Sequence, residues 1–148
     1  KYDVSARYIE PTIITGMADD SRVMTEEIFG PILPLKTFYN VDDVITFIKS
    51  REKPLALYYF TNDRKKSAKV LRETSSGGAC VNDTLIHVAN HRLPFGGVGN
   101  SGMGLYHGKY GFDTFSHHKS VVRSSFSIDI KLKYPPYRKK LERFKRFI

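Results

Sequence analysis

Residues 54–60 read PLALYYF, a nearly unbroken apolar run that carries paired tyrosines. A short run of this composition is typical of a strand that is buried in a sheet. On its N-terminal side the pattern changes to helical spacing, with apolar residues at positions 44, 45, 47 and 48. Helical spacing returns on the other side, at positions 68 and 71. The sequence therefore predicts a strand over 55–60 with a helix before and after it.

The ends of both helices carry recognisable signals. Asn40 is a suitable N-cap for a helix over about 41–50, and Asn62 or Asp63 can cap the second helix. The SSGG sequence at residues 75–78 ends that second helix. We therefore expect two helices of ordinary length, each bounded by turn-forming residues.

Further strands are predicted at 31–38 (PILPLKTF) and 79–82 (ACVN). The order strand, helix, strand, helix, strand implies consecutive βαβ crossovers and a parallel sheet, which is an α/β fold. Residues 7–14 (RYIEPTII) predict a strand or a strand pair, and Pro11 favours an edge or a bulge there. The glycine-rich stretch 93–111 predicts a loop, and residues 112–128 predict a short helix that leads into a strand.

Composition limits the class of protein. With 148 residues the chain has the size of one domain, and 41% apolar with 26% charged residues is typical of a globular protein. The single cysteine excludes an internal disulfide and fits a reducing compartment. No apolar run approaches the roughly 18 residues that span a bilayer.

The net charge of +9 is concentrated near the C-terminus. Residues 131–148 contain eight lysines and arginines against the single acid Glu142, which leaves +2 for the other 130 residues. A nucleic-acid surface requires basic residues interleaved with aromatics over a folded face. The charge distribution therefore disfavours nucleic-acid binding by the folded part.

Two long motifs stand about 65 residues apart, TEEIFGP at 25–31 and LPFGGVGNSGMG at 93–104. Together, and in this order, they resemble the aldehyde dehydrogenase superfamily. The continuation YHGKYGFDTFSH at 106–117 and the sequence KYPPY at 133–137 are similar to its class 3 branch. The resemblance covers essentially the whole chain, and it implies an NAD(P)-dependent oxidation of aliphatic or aromatic aldehydes to carboxylic acids.

In the family that reaction needs a nucleophilic cysteine, a glutamate that activates water, an oxyanion asparagine and a nucleotide-binding segment. In the family all four precede the motifs seen here, and none has a matching motif in the 148 residues. The resemblance therefore implies a C-terminal fragment that has no catalytic residue of its own and is inactive alone. Either NAD or NADP is expected as cofactor.

Glu27 and Phe29 are the candidate cofactor-binding residues. Glu27 matches the family glutamate that accepts hydrogen bonds from the nicotinamide ribose, and Phe29 matches the aromatic beside the nicotinamide. From the residues alone, Glu27 could equally be a solvated or helix-capping glutamate, and Phe29 a core phenylalanine before the Gly30-Pro31 turn. Glu26 is expected to be a surface or salt-bridging neighbour.

Phe95 and Ala89 are the candidate substrate-pocket residues. Phe95 matches the pocket aromatic of the family, and the alternative is simple core packing. Ala89 is expected on the same pocket wall, where its small side chain leaves room for a bulky aldehyde.

Other residues that carry chemistry are assigned no functional role. Cys80 lies in a predicted buried strand and is expected to be a structural thiol. The five histidines lack the spacing of a metal site, so no metal is predicted. The G-x-G-x-x-G pattern that begins at Gly97 has neither a preceding strand nor a clear following helix, which argues against a dinucleotide site there.

The chain is accordingly divided into a part of the catalytic domain (1–116), an oligomerisation strand (117–130) and a basic amphipathic tail (131–148). The resemblance implies a homodimer in the cytoplasm. Apolar residues recur with helical spacing in the tail, and a basic amphipathic helix of this kind can make peripheral contact with an anionic membrane. A solvated tail, or a helix docked on the dimer partner, is the open alternative. The alternative function is a non-catalytic basic module that binds an anionic membrane surface or nucleic acid. The apolar positions of the tail are Tyr137, Leu141, Phe144 and Ile148.

Overall fold

The computed structural model describes residues 1–137, 142 and 145. The chain divides into two compact units, Lys1–Phe115 and Ser116–Ile148, and each is considered by itself. The first unit contains all six strands that occur among the described residues.

The N-terminal part of the first unit forms two small sheets. Strand β1 (Tyr2–Asp3) pairs antiparallel with β2 (Tyr8–Ile9). Strand β3 (Thr12–Thr15) pairs parallel with β4 (Ile32–Leu35), and the short helix α1 (Arg22–Thr25) lies in the connection between them. The sequence leaves one strand or a strand pair open over 7–14, and the structure has two strands there, β2 and β3, which belong to different sheets. Pro11 falls between them, where its missing N–H costs no ladder hydrogen bond.

The next part is a βαβ unit of the predicted kind. Strand β5 (Ala56–Tyr59) and strand β6 (Gly78–Val81) are parallel, and helix α3 (Arg64–Glu73) connects them. Tyr58 lies opposite Cys80 in the ladder. The apolar run that predicted the central strand is therefore strand β5.

Helices α2 (Val41–Lys49) and α3 begin where the sequence signals predicted. The Asn40 side chain accepts a hydrogen bond from the Asp43 backbone N–H at 2.9 Å, and Asp63 accepts two, from the N–H groups of Lys65 and Lys66 at 2.9 and 3.1 Å. These caps satisfy donors that a helix leaves unpaired in its first turn. The sequence left Asn62 and Asp63 open as the second cap, and Asp63 is the one used.

The two helices pack against each other. Ile45 of α2 and Val70 of α3 are buried, and with Cys80 they are the buried apolar residues among those described. The ammonium of Lys69 forms an ion pair with Asp42 across the helix pair, and this hydrogen bond raises the pKa of Lys69. The core of the first unit is thus small and centred on one strand and two helices.

The pairing of the strands differs in one respect from the sequence prediction. Helix α2 joins β4 to β5, but these strands belong to different two-stranded sheets, so this connection is not a crossover within one sheet. The periodicity of the sequence identifies each helix and strand, but a local pattern does not specify which strands pair. The partner of β4 is β3.

The glycine-rich part of the first unit contains more regular structure than the sequence predicted. Helix α4 (Ile86–Ala89) precedes it, a 3₁₀ turn occupies Gly99–Ser101, and helix α5 spans Gly108–Thr114. Its first glycines fit the pattern of a loop, so the sequence predicts a helix only near Phe112. Helix α5 begins earlier than that. Phe95 and Tyr106 form an antiparallel bridge that closes the intervening loop.

The second unit has little regular structure among its described residues. A 3₁₀ turn covers Lys131–Lys133, and the hydrogen bond that the Lys133 ammonium donates to the Asp129 carboxylate raises the pKa of Lys133. Residues 117–130 are all described and form no strand within this single chain. A strand that pairs with a second chain has no partner here, so the oligomerisation strand stays a prediction. The predicted tail helix lies largely outside the described residues.

No helix in the part of the chain that the structure describes is long and apolar enough to cross a membrane.

We expect Asp63→Ala to lower the free energy of unfolding by about 1 kcal/mol, because it removes both capping hydrogen bonds of α3. Urea or thermal unfolding of the protein measures this. Asp20→Ala, which removes an exposed carboxylate in the loop before α1, is the matched control. Equal stability of the two variants would contradict the capping role.

We expect Gly77→Ala to lower the free energy of unfolding by about 1–3 kcal/mol. A Cβ atom at this position would lie 2.2 Å from the Gly96 carbonyl oxygen and 2.7 Å from that of Leu55, and both are backbone atoms that cannot turn aside. Gly30→Ala is the control, since its nearest contact would be an ordinary 3.5 Å. Unfolding curves that coincide for the two variants would disprove the close approach.

Candidate functional site

The segment between α1 and β4 presents the first motif. Glu26 follows α1, where its backbone N–H donates to the Arg22 carbonyl, and its carboxylate accepts two hydrogen bonds from the Arg22 guanidinium at 2.8 and 2.9 Å. These hydrogen bonds raise the pKa of Arg22. The sequence prediction that Glu26 is a salt-bridging neighbour is confirmed.

Glu27 behaves differently from the adjacent acid. Its side chain is exposed, and within the described residues no hydrogen bond or ion pair engages its carboxylate. Both oxygens therefore remain available as acceptors. An ionised carboxylate of this kind can accept from two neighbouring hydroxyl groups at once.

Phe29 has an unusual backbone conformation. Its φ is +40°, in the left-handed region that bulky residues rarely adopt, and its side chain is 92% exposed. Within this chain the Phe29 ring therefore packs into no core. Backbone strain of about 1–3 kcal/mol concentrates at binding sites, where it aims a side chain at a ligand. The exposed ring is consistent with a role beside a bound ring, which stays a prediction.

Phe95 lies at the start of the second motif and is half-buried. Its backbone exchanges two hydrogen bonds with Tyr106, at 3.0 and 2.8 Å, and the two rings meet edge to face at 5.5 Å. The ring also borders an open cavity of about 270 Å³, which Leu55, Leu105 and Phe115 help to line. Phe95 is therefore both packed and adjacent to an apolar cavity, so its two sequence interpretations are compatible.

Ala89 is the last residue of α4 and is exposed. No contact given by the structure joins it to Phe95, although His87, two residues earlier, does touch the Phe95 ring. Its place on the pocket wall stays a prediction.

Cys80 lies in strand β6 and is 7% exposed, so the predicted buried strand cysteine is confirmed. Its Sγ atom is 3.2 Å from Nδ1 of His87. Among the residues that the structure describes, no group of three histidine, cysteine or acidic side chains could hold a metal ion.

Two histidines that the sequence analysis leaves without a functional role lie near the site. His87 and His107 are 6% and 8% exposed, and both rings pack on Phe95, at 6.0 and 6.2 Å between centroids. His107 also places its Nδ1 atom 3.1 Å from the Leu93 carbonyl oxygen. Histidines buried among aromatic rings leave no periodic signal, and only their short distance in sequence from the second motif could have indicated them.

The structure surrounds one of the four predicted site residues with aromatic rings. Phe95 is surrounded by the rings of Tyr106, His107 and His87. Within the described part of the chain, no hydrogen bond or ring contact joins these residues to Glu27 or Phe29.

The G-x-G-x-x-G pattern does not form a dinucleotide-binding turn. Gly99 begins a single 3₁₀ turn, and an isolated bridge residue rather than a strand precedes it. A phosphate site of that kind needs a strand before the glycines and a helix opening directly after them. The interpretation of this stretch as a loop without a phosphate site is therefore supported.

Comparison with known proteins gives a consistent result. Residues 2–121 match the aldehyde dehydrogenase family. The chain is 51% identical over 145 residues to the 4,4'-diaponeurosporen-aldehyde dehydrogenase of Staphylococcus aureus. The matched region covers 98% of this chain and 32% of that protein. It is 53% identical over 136 residues to aldehyde dehydrogenase family 3 member A2 of Mus musculus, with coverage of 90% and 28%. A third relative, 50% identical over 144 residues, is the dimeric NADP-preferring aldehyde dehydrogenase of Rattus norvegicus, with coverage of 96% and 32%.

Solved structures show the same similarity. The substrate-bound state of Staphylococcus aureus AldH superposes with a TM-score of 0.80 at 50% identity, over 99% of this chain and 32% of that one. An indole-3-acetaldehyde dehydrogenase complexed with NAD⁺ gives a TM-score of 0.70 at 32% identity, over 77% and 23%.

The chain spans about a third of the length of the relatives that it matches. One of these relatives is a named family 3 protein, which agrees with the class 3-like resemblance. Because the family match covers most of the chain and the structures share its α/β architecture, the chain belongs to the aldehyde dehydrogenase family.

Proposed function

We propose that this chain is the cofactor-positioning and substrate-cavity portion of an NAD(P)-dependent aldehyde dehydrogenase that oxidises aliphatic or aromatic aldehydes to carboxylic acids. The observation that carries the proposal is the exposed Glu27 carboxylate, whose oxygens have no hydrogen-bond partner within the described residues, in a chain whose family is known. The relatives are named as dehydrogenases of diaponeurosporen-aldehyde and of other aldehydes, and these names support the reaction class.

The residues of this segment fit a nicotinamide ribose. Glu27 offers two acceptor oxygens to vicinal hydroxyls, and the neighbouring Glu26 is already held by Arg22, so the two acids do not compete. The exposed Phe29 ring supplies an apolar surface beside such a ligand. A bound NAD(P) would supply the hydride acceptor, and Glu27 and Phe29 would hold its nicotinamide end. The part of Glu27 and Phe29 in the reaction is to orient, not to transfer protons.

The substrate end of the proposal rests on Phe95. Its ring borders an apolar cavity of about 270 Å³, which suits an aliphatic or aromatic aldehyde rather than a charged one. Ala89 is proposed to line the same region, where a methyl side chain occupies little space. We propose no catalytic residue in this chain.

The cofactor is proposed as NAD or NADP. One relative is named as NADP-preferring, and a similar structure was solved with NAD⁺. Both carry the same nicotinamide ribose, so the proposed role of Glu27 is identical for either.

A homodimer is proposed for the complete enzyme. The rat relative is named as dimeric, and residues 117–130 of this chain carry exposed apolar side chains without a strand partner of their own. Pairing of this segment with a second subunit would cover them. They are Val121, Val122, Phe126, Ile128 and Ile130.

A cytoplasmic location is also proposed, because the single cysteine fits a reducing compartment. Peripheral membrane contact is proposed on the charge of the tail alone. The eight basic residues of 131–148 would each contribute about 1 kcal/mol near an anionic surface. The alternative of a non-catalytic module that binds nucleic acid or membrane receives no support from the family match.

We expect the 148-residue chain alone to form no NAD(P)H with octanal or benzaldehyde, because none of its motifs matches the family nucleophile. The full-length polypeptide that carries this chain should turn over both aldehydes, measured by absorbance of the reduced cofactor with NAD and with NADP. Turnover by the chain alone that Cys80→Ala abolishes would show that Cys80 is the nucleophile and contradict this account.

We expect Glu27→Gln in the full-length enzyme to slow hydride transfer by about ten- to a hundredfold, because misplacement of a reacting group near 1 Å costs on that order. Pre-steady-state formation of reduced cofactor, with a deuterated aldehyde to expose the hydride step, measures it. The thermal stability should change little, since the side chain is exposed.

Glu26→Gln is the matched control for this variant. It neutralises the adjacent acid, whose partner is Arg22, and should leave the hydride step unchanged. If Glu27→Gln leaves the hydride step intact but lowers the melting temperature, Glu27 is a structural residue.

A further inference from the structure

Strands β5 and β6 present two side chains on the same face, Tyr58 and Cys80, because residues opposite each other in a parallel ladder point the same way. The side chain of His87 lies against both. Its Nδ1 atom is 3.2 Å from the Cys80 Sγ atom, and its ring meets the Tyr58 ring edge to face at 5.8 Å.

The third neighbour of the His87 ring is the backbone of Gly78. A Cβ atom on Gly78 would lie 2.4 Å from Cδ2 of His87, so the imidazole occupies the space that any larger residue in strand β6 would need. His87 as a whole is 6% exposed. The ring is therefore fixed by a sulfur contact, an aromatic contact and the strand backbone together.

The remaining neighbour of His87 is the Phe95 ring, at 6.0 Å between centroids and an interplanar angle of 56°. Phe95 meets Tyr106 and His107 as well, through its other ring contacts. Among the described ring contacts, those of His87 therefore link Phe95 to the β5–β6 pair.

The Nε2 atom of His87 is buried and has no hydrogen-bond partner among the described residues. An unsatisfied buried polar atom destabilises the protein, so packing alone would favour an apolar residue here. The Nδ1 contact with Cys80 is what a histidine provides and a phenylalanine does not.

We propose that His87 is a positioning residue for the substrate cavity: Cys80 fixes its imidazole, and the imidazole fixes the Phe95 ring. This rests on the proposed role of Phe95 at the aldehyde site. His87 touches neither substrate nor cofactor in this account, and Cys80 acts as an anchor rather than as a nucleophile. A shift of Phe95 would alter the binding of bulky aldehydes more than that of small ones.

The test uses the full-length enzyme and compares His87→Ala with the wild type. We expect KM for benzaldehyde to rise about tenfold, on the scale of one aromatic contact, while KM for acetaldehyde changes less than twofold and kcat for both is nearly kept. His87→Phe, which restores a ring without the sulfur contact, should recover part of the benzaldehyde KM. Cys80→Ser should resemble the wild type, and Cys80→Ala should fall between.

Val70→Ala is the control for general destabilisation. Val70 is 2% exposed in α3 and belongs to the core of the first unit, so its truncation lowers stability through a cavity. It should leave the ratio of the two KM values unchanged. An equal rise of both KM values in His87→Ala, or the same ratio in both variants, overturns the positioning role while the proposed function stands.

A second readout does not depend on activity. Hydrogen exchange of the Phe95 and Tyr106 amides, which are bonded to each other, should accelerate in His87→Ala and not in Val70→Ala. Unchanged exchange at both amides in His87→Ala overturns the positioning role. Failure of the wild-type enzyme to oxidise any aldehyde refutes the proposed function, and the exchange rates then decide the inference about Phe95.

Discussion

The close approach of the loop backbone to Gly77, and of the His87 ring to Gly78, is the constraint on which the site depends. Strand β6 begins there, and the loop of the second motif lies directly against it through the Gly96 carbonyl oxygen. A side chain at Gly77 would separate the loop from the strand, and one at Gly78 would displace His87. No fully buried large apolar side chain is found among the described residues. Close packing at the two glycines therefore holds three parts in place: the β5–β6 pair, the aromatic cluster and the cavity beside Phe95.

The two adjacent acids of the first motif show how local structure separates roles. Glu26 follows the last turn of α1, where Arg22 lies one turn earlier and within reach. Glu27 is one residue further, beyond the helix, and its carboxylate is left exposed. A difference of one position along the backbone therefore decides which acid forms an ion pair and which remains available to a ligand.

Sequence alone predicted what depends on neighbouring residues. The helical periodicity and the caps at Asn40 and Asp63 located α2 and α3, and the apolar run located β5. These features follow from local geometry, which three or four residues specify. The βαβ unit followed from their order.

What the sequence did not yield depends on contacts between distant residues. The pairing of β4 with β3, the helix α5 within the glycine-rich stretch, and the contact of His87 with both Cys80 and Phe95 have no local pattern. The motifs identified Glu27, Phe29 and Phe95 through resemblance, but the positive φ of Phe29 and the exposure of its ring have no local sequence pattern.

The backbone of Phe29 sets the stability of the fold against the proposed role of its ring beside the cofactor. A φ of +40° is a conformation that glycine adopts without penalty, so a glycine at this position would relax the chain and stabilise the fold by an amount on the order of 1 kcal/mol. The same change would remove the exposed ring from the face beside Glu27. Selection for thermal stability alone would therefore drive this position away from phenylalanine, and engineering of a more robust variant should leave it unaltered.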